Sequence, residues 1–165
     1  MVSATFINKA KDIKLVATDI DGVWTDATMY YSAQGEQLKA FSTYDGMAVA
    51  MLREAGIEVA IITGENSAVV KARAKKLNIE KLCLGELDKA FRLKEICKNT
   101  GVDLSQTAYI GDDINDLGAL EIAGLTAIVP NSPLVGNYQP DYVTKRKGGE
   151  GAFRDFVDAI LSAKK

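Results

Sequence analysis

Asp19 and Asp21, with Gly22 directly behind them, are the residues of this chain whose type and spacing most clearly serve chemistry. They close the run Lys14-Leu-Val-Ala-Thr-Asp-Ile-Asp21, whose apolar start is the pattern of a strand buried on both faces. Residues two apart in a strand point the same way, so both carboxylates are expected close together at the strand's end. Holding two like charges side by side is unfavourable unless a cation or a shared proton offsets the repulsion. Further polar groups follow later apolar runs: Thr63, Lys89, and the stretch Gly111-Asp-Asp-Ile-Asn-Asp116.

If these groups converge, carboxylates ~4 Å apart repel by about 4 kcal/mol per pair at an effective dielectric of 20. One lysine does not hold several of them together, so a divalent cation is implied. Oxygen donors without His or Cys favour Mg²⁺ over zinc, and Mg²⁺ held by a few carboxylates usually also binds phosphate. One carboxylate is then placed to attack phosphorus. Thr63 can hydrogen-bond the transferred phosphoryl oxygens and Lys89 can neutralise their charge. Taken singly the same residues are bland. A lone Thr after a strand is ordinarily a turn residue, a lone Lys a solvated surface group, and Asp113 and Asp116 can simply cap the following helix. Only the ordered set carries weight.

The elements that would bring them together follow from periodicity. Strands are expected at 57–62, 81–84, 107–110 and 124–129, with a further edge strand at 141–144. Helices are expected at 44–55, 66–77, 88–100, around 117–120, and from 152 onward. Alternating strands and helices imply a doubly wound, Rossmann-like α/β sheet, parallel and covered on both faces, in which ligands bind beyond the carboxyl ends of the strands. Asp19, Asp21, Thr63 and Asp112 all follow strand ends, and Lys89 opens a helix that can reach the same edge. Residues about 27–41 read as an inserted β-hairpin around Ala33-Gln-Gly-Glu36, marginal on its own and so expected to pack against another subunit. Residues about 145–151 read as a flexible, glycine-rich basic segment.

The 165 residues suit a single domain spanning 1–165. A net charge of -2 supplies no basic field for nucleic acid and no polybasic membrane signal. No apolar run approaches a membrane span of ~18 residues, and the first ten residues lack the apolar core of a signal peptide. A cytoplasmic protein is expected, with no nucleic-acid or membrane partner. Histidine is absent, which excludes an imidazole base, a His-ligated zinc site and a Ser-His-Asp triad. Cys83 and Cys97 lack metal-ligand or redox spacing and read as small buried thiols.

Asp-Ile-Asp-Gly, Thr-Gly, Asp-Lys and Gly-Asp-Asp-Ile-Asn-Asp, in that order, resemble the four motifs of the haloacid dehalogenase superfamily of phosphatases. The resemblance implies that Asp19 is the nucleophile and a Mg²⁺ ligand. Asp21 would protonate the leaving alcohol and then activate water, its backbone carbonyl also ligating the metal. Thr63 and Lys89 would hold the phosphoryl group and Asp112 would complete the metal site. Asp113, Asn115, Asp116 and Gly64 would support them. The intervals 26–63 and 89–112 are too short for a cap domain, so the chain is expected to be capless, with a neighbouring subunit supplying the lid.

Asp-Gly-Val-Trp-Thr-Asp26, the hairpin and Lys-Gly-Gly-Glu-Gly-Ala-Phe-Arg154 resemble, nearly end to end, the 3-deoxy-manno-octulosonate 8-phosphate phosphatase family. That resemblance implies a homotetramer with central hairpins, a glycine-rich tail reaching a neighbour's site, and a phosphorylated eight-carbon keto-sugar acid as substrate, used in lipopolysaccharide synthesis. One departure concerns the substrate. The eight-carbon enzymes commonly show Thr-Gly-Arg, whereas this chain has Thr63-Gly64-Glu65. Glu65, Arg73 and Lys76 resemble a pattern of relatives acting on a nine-carbon 9-phosphate, the alternative substrate. Lys145, Arg146 and Lys147 are further candidates for a substrate carboxylate. A receiver-like phospho-acceptor is the rival reading, but there the acidic pair comes first and the phosphorylated Asp follows a later strand. A non-enzymatic interaction domain would not need every motif residue.

Overall fold

The computed structural model describes residues 2–165. Its centre is a six-stranded, wholly parallel sheet in the order β5-β4-β1-β6-β7-β8. Here β1 is Leu15–Thr18, β4 Glu58–Ile62, β5 Lys81–Cys83, β6 Thr107–Gly111, β7 Leu125–Ile128 and β8 Tyr142–Val143. β1 is buried throughout and sends alternate residues to opposite faces. Leu15 and Ala17 join one apolar cluster and Val16 the other. Helices α1 (Ala4–Lys11), α2 (Thr43–Glu54), α3 (Ala68–Lys76) and α6 (Ala152–Ala163) cover the Val16 face. Helices α4 (Lys89–Thr100) and α5 (Leu117–Ile122) cover the other. The doubly wound reading of the sequence is the fold observed. The hairpin also forms, as β2 (Tyr30–Ser32) and β3 (Gly35–Leu38), a separate antiparallel pair.

Two of the helices differ from the sequence reading. α1 had no counterpart in it: Ser3 caps the helix at Phe6 N, and Phe6 is buried against Tyr142 and Phe156 at ring separations of 5.3 and 6.4 Å. The buried face of α2 is also rotated. The apolar spacing pointed to Met47, Ala48, Met51, Leu52 and Ala55, whereas the residues buried are Asp45, Ala48, Val49 and Leu52, with Met47 exposed. Asp45 sits inward with its Oδ1 accepting the Arg154 backbone N–H at 2.9 Å, which joins α2 to the start of α6.

The register sets the height of each loop. Thr18 pairs with Ile110 on one side and Ile61 on the other. Asp19, Thr63 and Asp112 therefore leave the sheet at nearly the same level.

Candidate active site

A cleft of about 270 Å³ opens at this edge, lined among others by Asp19, Asp21, Thr63, Gly64, Glu65 and Asp112. Asp113, Ile114 and Asn115 form its wall on the β6 side. Asp19 is almost fully buried and its backbone N–H bonds Ile110 O at 3.0 Å, which ties the loop after β1 to β6. Lys89, the first residue of α4, is buried and lies 3.0 Å from Asp19 Oδ1 and 2.7 Å from Asp116 Oδ1. Burial works against the Lys89 ammonium, but the charges of Asp19 and Asp116 outweigh it and hold its pKa above the ordinary lysine range.

Asp116 lies at the bottom of the site and is saturated. Its Oδ1 accepts from Lys89 and from the Tyr109 hydroxyl at 2.6 Å. Its Oδ2 accepts the backbone N–H of Asp112 at 2.8 Å and of Asp113 at 3.3 Å. Cap and support are therefore one role: the bonds that start the turn 114–116 also orient Asp112. Gly111 permits this, since a β-carbon there would lie 2.4 Å from Asp116 Cγ.

Asp19, Asp112 and Asp116 bring carboxylate oxygens within 4.8 Å of one another. Burial first, and then the charge of Asp116, raise Asp19 well above the usual carboxylate range against the pull of Lys89. Burial, followed by the charges of Asp116 and Asp113, pushes Asp112 up to about 7. Three carboxylates thus face one lysine, and without a further cation the ionised forms of Asp19 and Asp112 are disfavoured. With Asp116 already bonded to four donors, Asp19 and Asp112 are the carboxylates with oxygens to spare. That donor set fits a hard divalent cation.

The chain matches the haloacid dehalogenase-like hydrolase family over residues 28–124. Relatives extend the match in both directions. The 3-deoxy-D-manno-octulosonate 8-phosphate phosphatase of Haemophilus influenzae is 41% identical over 155 residues, covering 94% of this chain and 86% of its own length. That of Escherichia coli K12 is 36% identical over 162 residues, covering 98% and 86%. The chain belongs to the haloacid dehalogenase-like hydrolases. Within them it groups with phosphatases, and it is an enzyme of that kind. The cobalt-bound Haemophilus influenzae phosphatase superposes with a TM-score of 0.91 at 40% identity, over 94% of this chain and 91% of that one. The Moraxella catarrhalis phosphatase, in complex with magnesium, phosphate and a KDO molecule, gives 0.92 at 42% identity, over 96% and 91%.

Of the substrate candidates in this hydrolase, Glu65 lines the cleft and the basic ones do not. Arg73 is half-buried on α3, where it donates to Ser42 O at 3.3 Å and lies 5.6 Å from the Phe41 ring centre. Lys76 is exposed in the last turn of α3. Arg146 stacks on Tyr44 at 4.8 Å, while Lys145 and Lys147 are exposed. The segment about 145–151, expected to be flexible, is seated on its own chain. Gly149 N–H bonds Val23 O at 3.2 Å, and a β-carbon on Gly148 would lie 1.9 Å from Gly22 O.

Reading the sequence missed two polar groups at the site. Tyr109 looked like strand core, and only the fold shows its hydroxyl on Asp116. Lys39 is not singled out from the hairpin run, yet its Nζ lies 2.5 Å from Asp21 Oδ1. No periodicity marks either of them.

Proposed function

We propose that this enzyme hydrolyses the phosphate monoester of a keto-deoxy sugar acid, 3-deoxy-D-manno-octulosonate 8-phosphate first, through a phosphoryl-aspartate on Asp19. The buried Asp19 carboxylate beside Lys89, lining a cleft with Asp21 and Thr63, carries this reading. Asp19, Asp112 and the Asp21 backbone carbonyl would hold Mg²⁺, which when bound offsets the carboxylates and polarises the phosphoryl oxygens. Thr63 and Lys89 orient the phosphoryl group. An Asp19 oxygen bonds phosphorus as the ester P–O bond breaks, and Asp21 gives its proton to the departing alkoxide. Asp21, now ionised, takes a proton from water as that water attacks phosphorus. The acyl-phosphate bond breaks, returning Asp19 as a carboxylate and releasing inorganic phosphate.

The similarity to the Moraxella catarrhalis complex supports the eight-carbon substrate. Glu65 favours the nine-carbon 9-phosphate as a second reading, because it lines the cleft where the eight-carbon family commonly places Arg. Phosphate release from the two sugar acid phosphates, with Mg²⁺ and with chelator, tests both. The expected result is metal-dependent turnover that Asp19→Asn abolishes. Turnover surviving either treatment refutes the proposed chemistry, and the ratio of kcat/KM values decides the substrate.

We also infer a homotetramer. Tyr30, Tyr31 and Leu38 on the hairpin are 50–65% exposed, a cost that a partner surface removes. No described helix is long and apolar enough to cross a membrane, and the free Cys83 and Cys97 agree with a reducing, cytoplasmic setting.

A further inference from the structure

Between Asp26 and Ala40 the chain runs along the surface, and among the described residues there a single one is buried, Lys39. Lysine is among the residues least often buried without a partner. Here it has two: its Nζ lies 2.5 Å from Asp21 Oδ1 and 2.6 Å from Glu36 Oε1. The other Glu36 oxygen, Oε2, accepts from the Ser67 hydroxyl, and Ser67 is the N-cap of α3, with Val70 N–H on its Oγ at 3.3 Å. The chain of contacts from Ser67 through Glu36 and Lys39 to Asp21 ties the hairpin both to the loop after β1 and to the loop that carries Thr63, Gly64 and Glu65. An ordinary surface ion pair joins two solvated groups and contributes little. This one places an ammonium with a fully covered side chain against one oxygen of a residue lining the cleft.

The two oxygens of Asp21 are not equivalent. Oδ1 is held by Lys39, whereas Oδ2 is buried with no hydrogen-bond partner among the described residues. A carboxylate that exchanges a proton with a bound substrate needs such a division. One oxygen fixes the plane and direction of the group, and the other stays free to act.

We propose that Lys39 is a positioning residue for the reaction: it grips Oδ1 of Asp21 so that Oδ2 faces the leaving oxygen and then the attacking water, and through it the hairpin is part of its own subunit's active site. This rests on the reading of Asp21 as proton donor and acceptor. Placement errors near 1 Å cost about 100-fold in rate, so the grip on Asp21 is worth that order where a proton must be delivered.

The test compares two esters whose leaving groups differ in their need for a proton. An alkyl phosphate, such as the sugar acid phosphate, expels an alkoxide that must be protonated as it leaves, whereas p-nitrophenyl phosphate expels a stable phenolate. The parameter kcat/KM covers steps up to that departure. With Mg²⁺ present, Lys39→Met is expected to lower kcat/KM about 100-fold on the alkyl ester. Its loss on the aryl ester is expected to be at least about tenfold smaller. Lys39→Arg should recover most of the difference, and inhibition by vanadate should be unchanged. Where Lys39→Met does not fold, Glu36→Gln, which loosens the hold on Lys39 from behind, should show the same preference for the aryl ester. Equal losses on both esters, or no loss on either, overturn the role of Lys39 while leaving the phosphatase reading intact. A wild-type protein that turns over neither ester refutes the phosphatase reading itself.

Discussion

Gly22 holds the narrowest clearance in the site. Its φ of +89° lies in the region that side chains rarely adopt, and a β-carbon there would fall 1.8 Å from Asp112 Oδ2. Asp112 cannot retreat freely, because its N–H is held by Asp116 and its carbonyl oxygen accepts from Ser132. Gly22→Ala is therefore expected to turn the Asp112 carboxylate away and weaken metal binding by about 10–100-fold, the range for disturbing the support of a metal ligand. Calorimetric Mg²⁺ titration, alongside activity as a function of Mg²⁺, measures it. Gly35→Ala is the control, since Gly35 has φ +102° but nothing within 4 Å of its β-carbon site. Unaltered Mg²⁺ affinity in Gly22→Ala would detach Asp112 from the metal. At this scale the sequence exposes whatever depends on local spacing. Asp19, Asp21, Thr63 and Asp112 are legible as a gathered set because each follows a short apolar run with the pattern of a buried strand. Lys39 and Tyr109 are not, because their partners lie 18 and 7 residues away along the chain and meet them only through the folded loops.

Among the elements, α2 and α6 are joined by a group that sequence patterning treats as solvated. Asp45 is fully buried, its Oδ1 bonded to Arg154 N–H and its Oδ2 without a partner among the described residues. Burial pushes its pKa from 3.8 to about 6, against the Arg154 bond and the charges of Arg73, Arg146 and Arg154. A raised carboxylate means that the folded state keeps its proton longer than the unfolded chain does. As pH rises from about 4 to about 6 the unfolded chain ionises first, so stability falls across that window and is level above it. A rise of that size corresponds to about 3 kcal/mol. Asp45→Asn keeps the acceptor for Arg154 and cannot ionise, so its urea stability should lack this decline and exceed wild type above about pH 6. Parallel profiles would mean that Asp45 is compensated as a carboxylate. The rotated face of α2 buries Val49 with Ala48 and Leu52, and Asp45 enters it with its Oδ1 held by Arg154 N–H, so the apolar pattern over Met47, Met51 and Ala55 misplaced the face. α1 escaped notice for a related reason. Eight residues are too few to form a stable helix alone, and this one is held by Phe6 against Tyr142 and Phe156, a contact with partners more than 130 residues away.

For the whole molecule, the cleft lining carries the carboxylates of Asp19, Asp21, Glu65, Asp112 and Asp113 and no cation, yet a sugar acid substrate would bring a phosphate and a carboxylate. Within one chain Lys89, beside Asp19, would meet the first of these charges and Lys39 is already paired with Asp21 and Glu36, while Arg73, Lys76, Lys145, Arg146 and Lys147 all lie outside the cleft lining. A second copy can supply what one copy lacks, and the exposed Tyr30, Tyr31 and Leu38 offer a surface on which to dock it. Lys76, solvated in the last turn of α3, is the simplest donor to test, because it makes no side-chain hydrogen bond or ion pair among the described residues. If it serves a neighbour, Lys76→Ala should raise KM for the sugar acid phosphate in a homogeneous preparation, and Asp19→Asn should be inactive. Co-assembled, the two should recover activity, because an intact Asp19 in one subunit would then receive an intact Lys76 from the other. Breaking the assembly with Leu38→Glu, verified by sedimentation, should abolish that recovery while leaving each chain folded. Activity in the mixture no greater than the sum of its parts would confine each cleft to the residues of its own chain and leave Lys76 a solvated helix charge.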